Sequence, residues 1–316
     1  MGTHVVIGAG GIGKAAARKL LEAGQQVIVL SRSGTKALPD GAEGRAVDLN
    51  DTAALDAAVA GADAIINAVN PSRYWRWAQE WPVMAAAILG AAERSGAGLV
   101  TISNLYGYGR VDAPMTEETP LHPNGTKGEI RVQMWRDALR AHDEGRCRVA
   151  EVRPSDYFGP GASEGASVLN TYVIGPAATG KPVSMPIGGL DVPHSWSYLG
   201  DIGALAASLA TGDGWGRAWH VPTGPPLTVR QVATDTSALA GVPTSRISAL
   251  PRVVVSVGGL FSPMLRELWE TRHQFERPFV LDSTAAQEEL GLLPTPWETQ
   301  LRETVALLGA QPAARG

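Results

Sequence analysis

A glycine-rich loop close to the start of the sequence is the feature that most constrains how this chain can fold. Residues 8–13 read G-A-G-G-I-G, with the spacing G-x-G-x-x-G, between a strand-like segment (4–7) and a helix-like segment (12–23). In this context Gly8 permits a tight turn, Gly10 lets the backbone approach a pyrophosphate, and Gly13 lets helix and strand pack closely. A tight strand-to-helix turn that binds nothing is the alternative. The loop residues that we expect to contact a dinucleotide are Gly8, Gly10, Gly11, Ile12 and Gly13.

Short apolar runs alternate with longer amphipathic or alanine-rich runs over the first two hundred residues. Candidate strands lie at 4–7, 26–30, 63–67, 99–103 and 148–153, and candidate helices at 12–23, 52–60, 75–95 and 127–143. This alternation is typical of βαβ units around a parallel sheet. The sequence therefore predicts an α/β fold with a doubly wound parallel (Rossmann) sheet and ligands at the carboxyl ends of its strands.

The regular alternation ends after residue 153, where turns rich in glycine and proline begin. A chain of 316 residues is longer than one hydrophobic core usually serves, so we expect two lobes. We predict that residues 1–164 plus 194–224 form the dinucleotide-binding domain. Residues 165–193 plus 225–316 are predicted to form a smaller C-terminal substrate lobe that closes over a cleft.

Composition and charge exclude several other classes of protein. The chain is 44% hydrophobic and 18% charged with a net charge of −4, and it has no basic stripe, so no nucleic-acid partner is expected. No apolar stretch reaches the roughly 18 residues of a membrane span, and no leader-like segment is seen, so a cytoplasmic location is expected. A single cysteine and the absence of His-x-x-x-His predict no metal site. The expected partner is a small-molecule substrate, and homodimer formation is left open.

The end of the second predicted strand carries information about which nucleotide is bound. An acid at this place usually holds the adenosine ribose 2′-hydroxyl, but here the strand ends with Ser31, Arg32 and Ser33, and the next acid is Asp40. An arginine can hold a 2′-phosphate through two charge-assisted hydrogen bonds, and the serines can add a hydroxyl. The sequence therefore favours NADP(H) over NAD(H). The alternative is that Arg32 is a solvated loop charge and that selectivity is loose.

Two further segments are candidates for the cofactor wall. Asp48 could accept from the adenine amino group while Leu49 packs on the ring, although capping of the next helix is the simpler explanation for acids here. Residues 67–70 read N-A-V-N at the end of a predicted strand, where small residues suit a backbone wall. We predict that Ala68 and Val69 contact the cofactor and that Asn70 faces the substrate.

Three later segments add more specific evidence. Residues 101–107 read T-I-S-N-L-Y-G, residues 153–160 read R-P-S-D-Y-F-G-P, and residues 194–202 read H-S-W-S-Y-L-G-D-I. With the glycine loop, they resemble the extended short-chain dehydrogenase/reductase superfamily, in particular its NAD-dependent epimerase/dehydratase branch. The resemblance covers nearly the whole chain and implies a catalytic role for Ser103 and a place for Pro154 beside the nicotinamide. The candidates for substrate contact in or near these segments are Tyr157, His194 and Trp196.

The chain departs from that family in its catalytic signature. The family carries Tyr-x-x-x-Lys, in which the lysine binds the nicotinamide ribose and the tyrosine exchanges a proton with the substrate. No Tyr-x-x-x-Lys occurs here: Lys127 stands where the resemblance places the lysine, and Pro123 occupies the place of the tyrosine. The glycine spacing also differs from the usual G-x-x-G-x-x-G of extended members.

Three interpretations of the missing tyrosine remain open. Tyr106 or Tyr108 could supply the proton while Ser103 positions the substrate oxygen, and His122 is a weaker candidate. Alternatively, the redox step is one in which solvent supplies the proton, or the nucleotide is bound without turnover. General acid–base help contributes about 10²–10⁴ in rate, so its loss matters. We therefore predict an NADP(H)-dependent oxidoreductase or epimerase/dehydratase-type enzyme for a small oxygenated substrate, with catalytic residues Lys127, Ser103 and Tyr106. The alternative is a non-catalytic NADP(H)-binding regulator.

Overall fold

The computed structural model describes residues 1–34, 37–71, 74–162, 167–244, 246–250 and 271–310. The strands are β1 (Thr3–Ile7), β2 (Gln26–Ser31), β3 (Glu43–Ala46), β4 (Ala64–Asn67), β5 (Gly98–Ile102), β6 (Val149–Arg153), β7 (Asp156–Phe158), β8 (Val183–Met185), β9 (Trp196–Tyr198), β10 (Ala218–His220) and β11 (Ile247–Ala249). The helices are α1 (Gly11–Glu22), α2 (Thr52–Val59), α3 (Trp77–Ser95), α4 (Thr126–Asp143), α5 (Gly175–Ala178), α6 (Leu199–Thr211), α7 (Val229–Leu239), α8 (His273–Glu276), α9 (Thr284–Leu290) and α10 (Trp297–Ala310). None of these described helices is both long and apolar enough to cross a membrane.

Seven strands form the central sheet in the order β10-β6-β5-β4-β1-β2-β3. Every neighbouring pair in it is parallel, for example β1 with β2, where Ile7 lies opposite Leu30. The strand order reverses direction between β1 and β4, which is where open parallel sheets place their ligands. The predicted doubly wound parallel sheet is confirmed.

Helices cover both faces of this sheet because its central strands are apolar on both sides. On β1, Val6 packs toward α1 and α6 in one core, whereas Val5 and Ile7 belong to a second core with α2, α3 and α4. The four-residue strand β4 is buried at every position. The two cores fix the strands rigidly, and the loops at their carboxyl ends are held in place as a result.

The C-terminal region has a core of its own. Two short parallel pairs, β7 with β9 and β8 with β11, lie outside the main sheet. Their apolar side chains, among them Phe158 and Trp196, pack with those of α7 and α10 in a third cluster. The predicted boundary between residues 164 and 165 falls outside the described residues, and the division into two domains stays a prediction.

The structure differs from the sequence-based expectations at the edges of elements. Strand β3 was not anticipated, because at the sheet edge it is largely exposed and polar, with an ion pair between Glu43 and Arg45 instead of an apolar face. Asp51 caps α2 by accepting a hydrogen bond from the amide of Ala54 at 3.0 Å, so this acid has a structural role.

Candidate active site

A cleft of about 1010 Å³ lies at the carboxyl ends of the central strands. Its walls come from the loops after β1, β2, β3, β4, β5 and β6, which converge at the point where the strand order reverses. The cleft brings together most of the predicted site residues. Those lining it are Gly8, Gly10, Gly11, Ile12, Ser31, Arg32, Asp48, Leu49, Ala68, Val69, Asn70, Ser103, Tyr106, Pro154 and Tyr157. The predicted residues outside this lining are Gly13, Ser33, Lys127, His194 and Trp196.

The glycine loop is shaped by close backbone contacts. Gly8 has φ +110°, and a Cβ there would lie 2.8 Å from the carbonyl oxygen of Ala68. A Cβ on Gly13 would lie 1.8 Å from the carbonyl oxygen of Gly8, so α1 can approach β1 this closely only because Gly13 has no side chain. At Gly10, by contrast, a Cβ would meet nothing within 4 Å. Gly13 therefore allows the close packing of α1 on β1, whereas the backbone of Gly10 is open to the cleft.

The amino end of α1 faces the cleft as an anion site. The helix begins at Gly11, its N-cap is Gly10 with no side-chain cap, and its first turn carries no acid. The first amide N–H groups of a helix have no partner within the helix, and the helix dipole is positive at this end. The loop and the helix together can therefore hold a pyrophosphate.

Polar residues of two loops, one after β2 and one after β3, line the far end of the cleft. Ser31 and the exposed Arg32 line the cleft, whereas Ser33 does not. Asp48 accepts hydrogen bonds from the backbone amide (3.0 Å) and side-chain amide (2.8 Å) of Asn50, both through Oδ1. Because Oδ1 is engaged in this turn, the predicted hydrogen bond from adenine would go to the other carboxylate oxygen of Asp48.

Near the sheet, Ser103 and Tyr106 share the cleft at the end of β5. Ser103 is 8% exposed, and its backbone amide donates to the carbonyl oxygen of Val152 at 2.8 Å, which ties the end of β5 to β6. The half-buried ring of Tyr106 lies 6.3 Å from that of Trp77. Lys127 lies in the first turn of α4 and is 3% exposed, outside the cleft lining.

Tyr108, the other tyrosine weighed as a proton source, belongs to a buried network and not to the main cleft. Its hydroxyl accepts from Nη1 of Arg153 at 2.7 Å and lies 2.7 Å from Nε2 of His220. Burial raises the pKa of Tyr108 to about 12, against the lowering effect of the Arg153 charge. A phenol of this kind exchanges protons poorly near neutral pH. Of the two tyrosines, Tyr106 is the one that lines the main cleft.

Sequence reasoning did not find Arg131, which also lines the cleft. It is 6% exposed and donates to Oδ1 of Asn70 at 3.3 Å and to the carbonyl oxygen of Ile102 at 3.4 Å. Its guanidinium carbon lies 4.3 Å from the ring centroid of Trp81 and 5.0 Å from that of Trp77. The available signal was its place four residues after Lys127, which puts both cations on one side of α4.

Asp156 is the second cleft residue that sequence reasoning did not find. It lines the cleft at the start of β7, and its Oδ2 lies 3.0 Å from Nε2 of His194. His194 itself is 2% exposed and lies behind Asp156, and Trp196 is buried with its Nε1 donating to the carbonyl oxygen of Leu227 at 2.9 Å. No spacing rule connects Asp156 with His194, because 38 residues separate them.

Comparison with known proteins adds the family. The profile of the NAD dependent epimerase/dehydratase family matches residues 4–212, about two thirds of the chain. The chain belongs to this family. Within the described residues, no group of three or more histidine, cysteine or acidic side chains could hold a metal ion. No curated protein matches the chain in sequence.

Solved structures of this fold cover almost the whole chain. The UDP-glucose 4-epimerase of Thermotoga maritima, solved with UDP-glucose, is 20% identical with a TM-score of 0.79, covering 97% of this chain and 98% of its own. The UDP-glucose 4-epimerase of Thermus thermophilus, solved with NAD, is 18% identical with a TM-score of 0.76 and coverages of 98% and 99%. The dTDP-glucose 4,6-dehydratase of Bacillus anthracis, solved with NAD, is 16% identical with a TM-score of 0.77 and coverages of 98% and 97%. At these identities the likeness shows the fold.

Proposed function

We propose that this protein is a nicotinamide-dinucleotide-dependent enzyme of the epimerase/dehydratase type that acts on a small oxygenated substrate. The observation that carries the proposal is that one cleft is lined both by the glycine loop and by the Ser103 and Tyr106 pair. A dinucleotide held at the loop extends along the ends of the strands toward the end of β5. Sugar nucleotides are the first substrate class to test, because fold relatives with UDP-glucose or NAD bound span nearly the whole chain.

The cleft fits a dinucleotide on its own geometry. A side chain at Gly8 or Gly13 would collide with backbone, and the open backbone at Gly10 lies beside an uncapped helix end. When bound, the nicotinamide supplies the acceptance and return of a hydride. Arg32 would bind a 2′-phosphate and Ser31 would add a hydroxyl, so NADP(H) is the favoured form. Ser33 stays a weaker prediction, since it is not among the residues that line the cleft.

On the catalytic side, Ser103 would position the reacting oxygen and Tyr106 is the tyrosine hydroxyl available to exchange a proton with it. The sequence lacks Tyr-x-x-x-Lys, so the site is atypical for the family. We retain Lys127 as the nicotinamide-ribose contact because it lies one helical turn before Arg131, which lines the cleft. Asn70 and Tyr157 would contact the substrate directly, with the C-terminal lobe (165–193 plus 225–316) covering it.

A turnover assay tests the function against its alternative. Purified protein is mixed with NADPH or NADH and a panel of ketones, enones and sugar nucleotides, and coenzyme oxidation is followed at steady state together with product analysis of the sugar nucleotides. We expect turnover with at least one substrate class. Submicromolar NADPH binding by calorimetry with no turnover on the panel would instead indicate the regulator.

The coenzyme preference is tested by Arg32→Ala. Hydrogen bonds to a charged group contribute about 1.5–3 kcal/mol, so NADPH binding should weaken by about 10- to 150-fold while NADH binding stays within about twofold. Arg18→Ala, which removes an exposed arginine of α1 outside the cleft lining, is the matched control and should change neither. Equal losses for both coenzymes in Arg32→Ala would contradict recognition of the 2′-phosphate.

A further inference from the structure

Asp156 and His194 form a hydrogen-bonded pair in which only Asp156 lines the cleft. Nε2 of His194 lies 3.0 Å from Oδ2 of Asp156, and Nδ1 of His194 lies 3.0 Å from the carbonyl oxygen of Gln274. The histidine side chain is 3% exposed and the carboxylate 21% exposed. A molecule bound in the cleft would therefore contact the pair through the carboxylate of Asp156.

The hydrogen-bond partners of His194 determine where its protons lie. A backbone carbonyl only accepts, so Nδ1 carries a hydrogen that it donates to Gln274. In a neutral ring Nε2 would then have a lone pair facing the carboxylate of Asp156, which is a repulsive contact at 3.0 Å. A second proton between Nε2 and Oδ2 converts this contact into a charge-assisted hydrogen bond. The geometry of the two hydrogen bonds therefore points to one proton shared between Nε2 of His194 and Oδ2 of Asp156.

The surroundings of the pair hold it in this state. The ring of His194 is stacked on Phe275 at 5.0 Å with an interplanar angle of 11°, and Trp196 and Phe279 lie 4.1 and 5.4 Å from it. These apolar rings exclude water and keep the imidazole aimed at Asp156.

Other ionisable groups on the elements packed against the pair are engaged elsewhere in the described structure. Ahead of β9, Asp191 is paired with Arg230 at 2.7 Å, and Arg153 at the end of β6 is paired with Glu151 at 2.6 Å. On the segment between Gln274 and Phe279 and just before it, the ionisable groups are Arg272, His273, Glu276 and Arg277. Arg272 lies 3.9 Å from Glu276, Nε2 of His273 lies 3.2 Å from the carbonyl oxygen of Gly109, and Arg277 lies 3.4 Å from Asp112.

We propose that Asp156 is a catalytic acid of the cleft and that His194 is the positioning residue that supplies its proton. The inference rests on the proposed function and gives the missing proton source a location other than Tyr106. As a substrate carbonyl is reduced, its oxygen forms an O–H bond with the proton that passes from Nε2 of His194 through Asp156. The hydride for the new C–H bond comes from the reduced nicotinamide coenzyme, which is oxidised. The pair is left as a carboxylate and a neutral imidazole and regains its proton from water.

Nitrogen-15 NMR of histidine-labelled protein tests the protonation state without any substrate or coenzyme. The signals of His194 are assigned by their disappearance in His194→Gln. We expect the signal of Nε2 of His194 to show a proton shared with Asp156, and we expect Asp156→Asn to change it to that of an unprotonated ring nitrogen. A neutral His194 in the unaltered protein, unchanged by Asp156→Asn, would overturn the proposal.

Kinetics on a carbonyl substrate found by the turnover panel test the catalytic role. Asp156→Asn should lower kcat by about 10²–10⁴ with KM within about threefold. His194→Gln should also lower kcat, by a smaller factor, with KM within the same range. Asp191→Asn, an exposed paired carboxylate outside the cleft lining, is the control and should leave kcat unchanged. Circular dichroism confirms that each variant is folded.

The outcomes separate this proposal from the proposed function. A larger loss of kcat in Tyr106→Phe than in Asp156→Asn would assign the proton to Tyr106 and overturn only the present inference. An active enzyme with a neutral His194 would do the same. NADPH binding without turnover on the entire panel would overturn the proposed function, and the catalytic role of Asp156 with it, whatever the NMR signals of His194 show.

Discussion

Removing one buried hydroxyl should measurably destabilise this protein. The hydroxyl of Tyr108 is the centre of a chain of hydrogen bonds in which Nη1 of Arg153 donates to it at 2.7 Å and it contacts Nε2 of His220 at 2.7 Å. Nδ1 of His220 lies 2.6 Å from the carbonyl oxygen of Asp282, which only accepts, so Nδ1 carries the hydrogen. Nε2 then accepts from Tyr108. Tyr108→Phe breaks both contacts in a region closed to water.

The cost follows from what the substitution leaves behind. Arg153 keeps its charge and loses an acceptor at a site where it is 4% exposed, and the wholly buried His220 loses a donor. A hydrogen bond to a charged group is worth about 1.5–3 kcal/mol and a neutral one about 1 kcal/mol, so we expect a loss of about 2–4 kcal/mol. With an unfolding entropy of about 2.1 cal/mol/K per residue, this corresponds to a fall in Tm of about 3–6 °C for a chain of 316 residues.

Thermal unfolding followed by far-ultraviolet circular dichroism, with urea denaturation at 25 °C, measures the effect. Tyr172→Phe is the matched control, because Tyr172 is half-buried and its hydroxyl makes no hydrogen bond with any of the described residues. Its Tm should stay within about 1 °C of the unaltered protein. If Tyr108→Phe unfolds at the same temperature as Tyr172→Phe, the network does not stabilise the fold as argued.

Two further perturbations follow from the same structure. Gly13→Ala should abolish coenzyme binding and lower the Tm, because its Cβ would lie 1.8 Å from the carbonyl oxygen of Gly8. Gly10→Ala should fold normally, since its Cβ would meet nothing within 4 Å. Equal Tm values for the two variants would refute the packing argument. Burial lowers the pKa of both His220 and His4, so the unfolded chain binds protons more readily; stability should be complete above about pH 6.5 and fall below it. Urea midpoints at pH 8 and pH 5.5 measure this, and His220→Gln should reduce the difference; an unchanged difference would show that His220 stays charged when folded.

The amino-terminal half of the fold was accessible from the sequence because its signals are local. Strand β2 and helix α1 follow from apolar periodicity, and the turn between β1 and α1 follows from glycine spacing, each within a window of about a dozen residues. Most of the predicted cofactor-binding residues line one cleft for a related reason, because the carboxyl ends of parallel strands meet at one edge. The polar edge strand β3 was missed because pairing with β2, and not its own pattern, makes it a strand.

Among the candidate catalytic residues, too, those in a local motif were predicted from the sequence and those brought together by long-range contacts were not. Ser103 and Tyr106 come from one short motif after β5, and the cleft contains both. Arg131 reaches Asn70 across 61 residues of sequence, and His194 reaches Asp156 across 38. No periodicity extends over such separations, so only the packing of α4 on the sheet and of β9 beside β7 brings these groups together.

What the sequence determined by itself is therefore the part of the protein in which neighbours along the chain are also neighbours in space: the strand-loop-helix unit at Gly8, the parallel alternation and the missing Tyr-x-x-x-Lys. The tertiary structure alone decided which polar groups share the cleft. It placed Tyr108 in a buried network and His194 behind Asp156, because the burial and partners of a side chain depend on chain segments that fold against it from far away in the sequence.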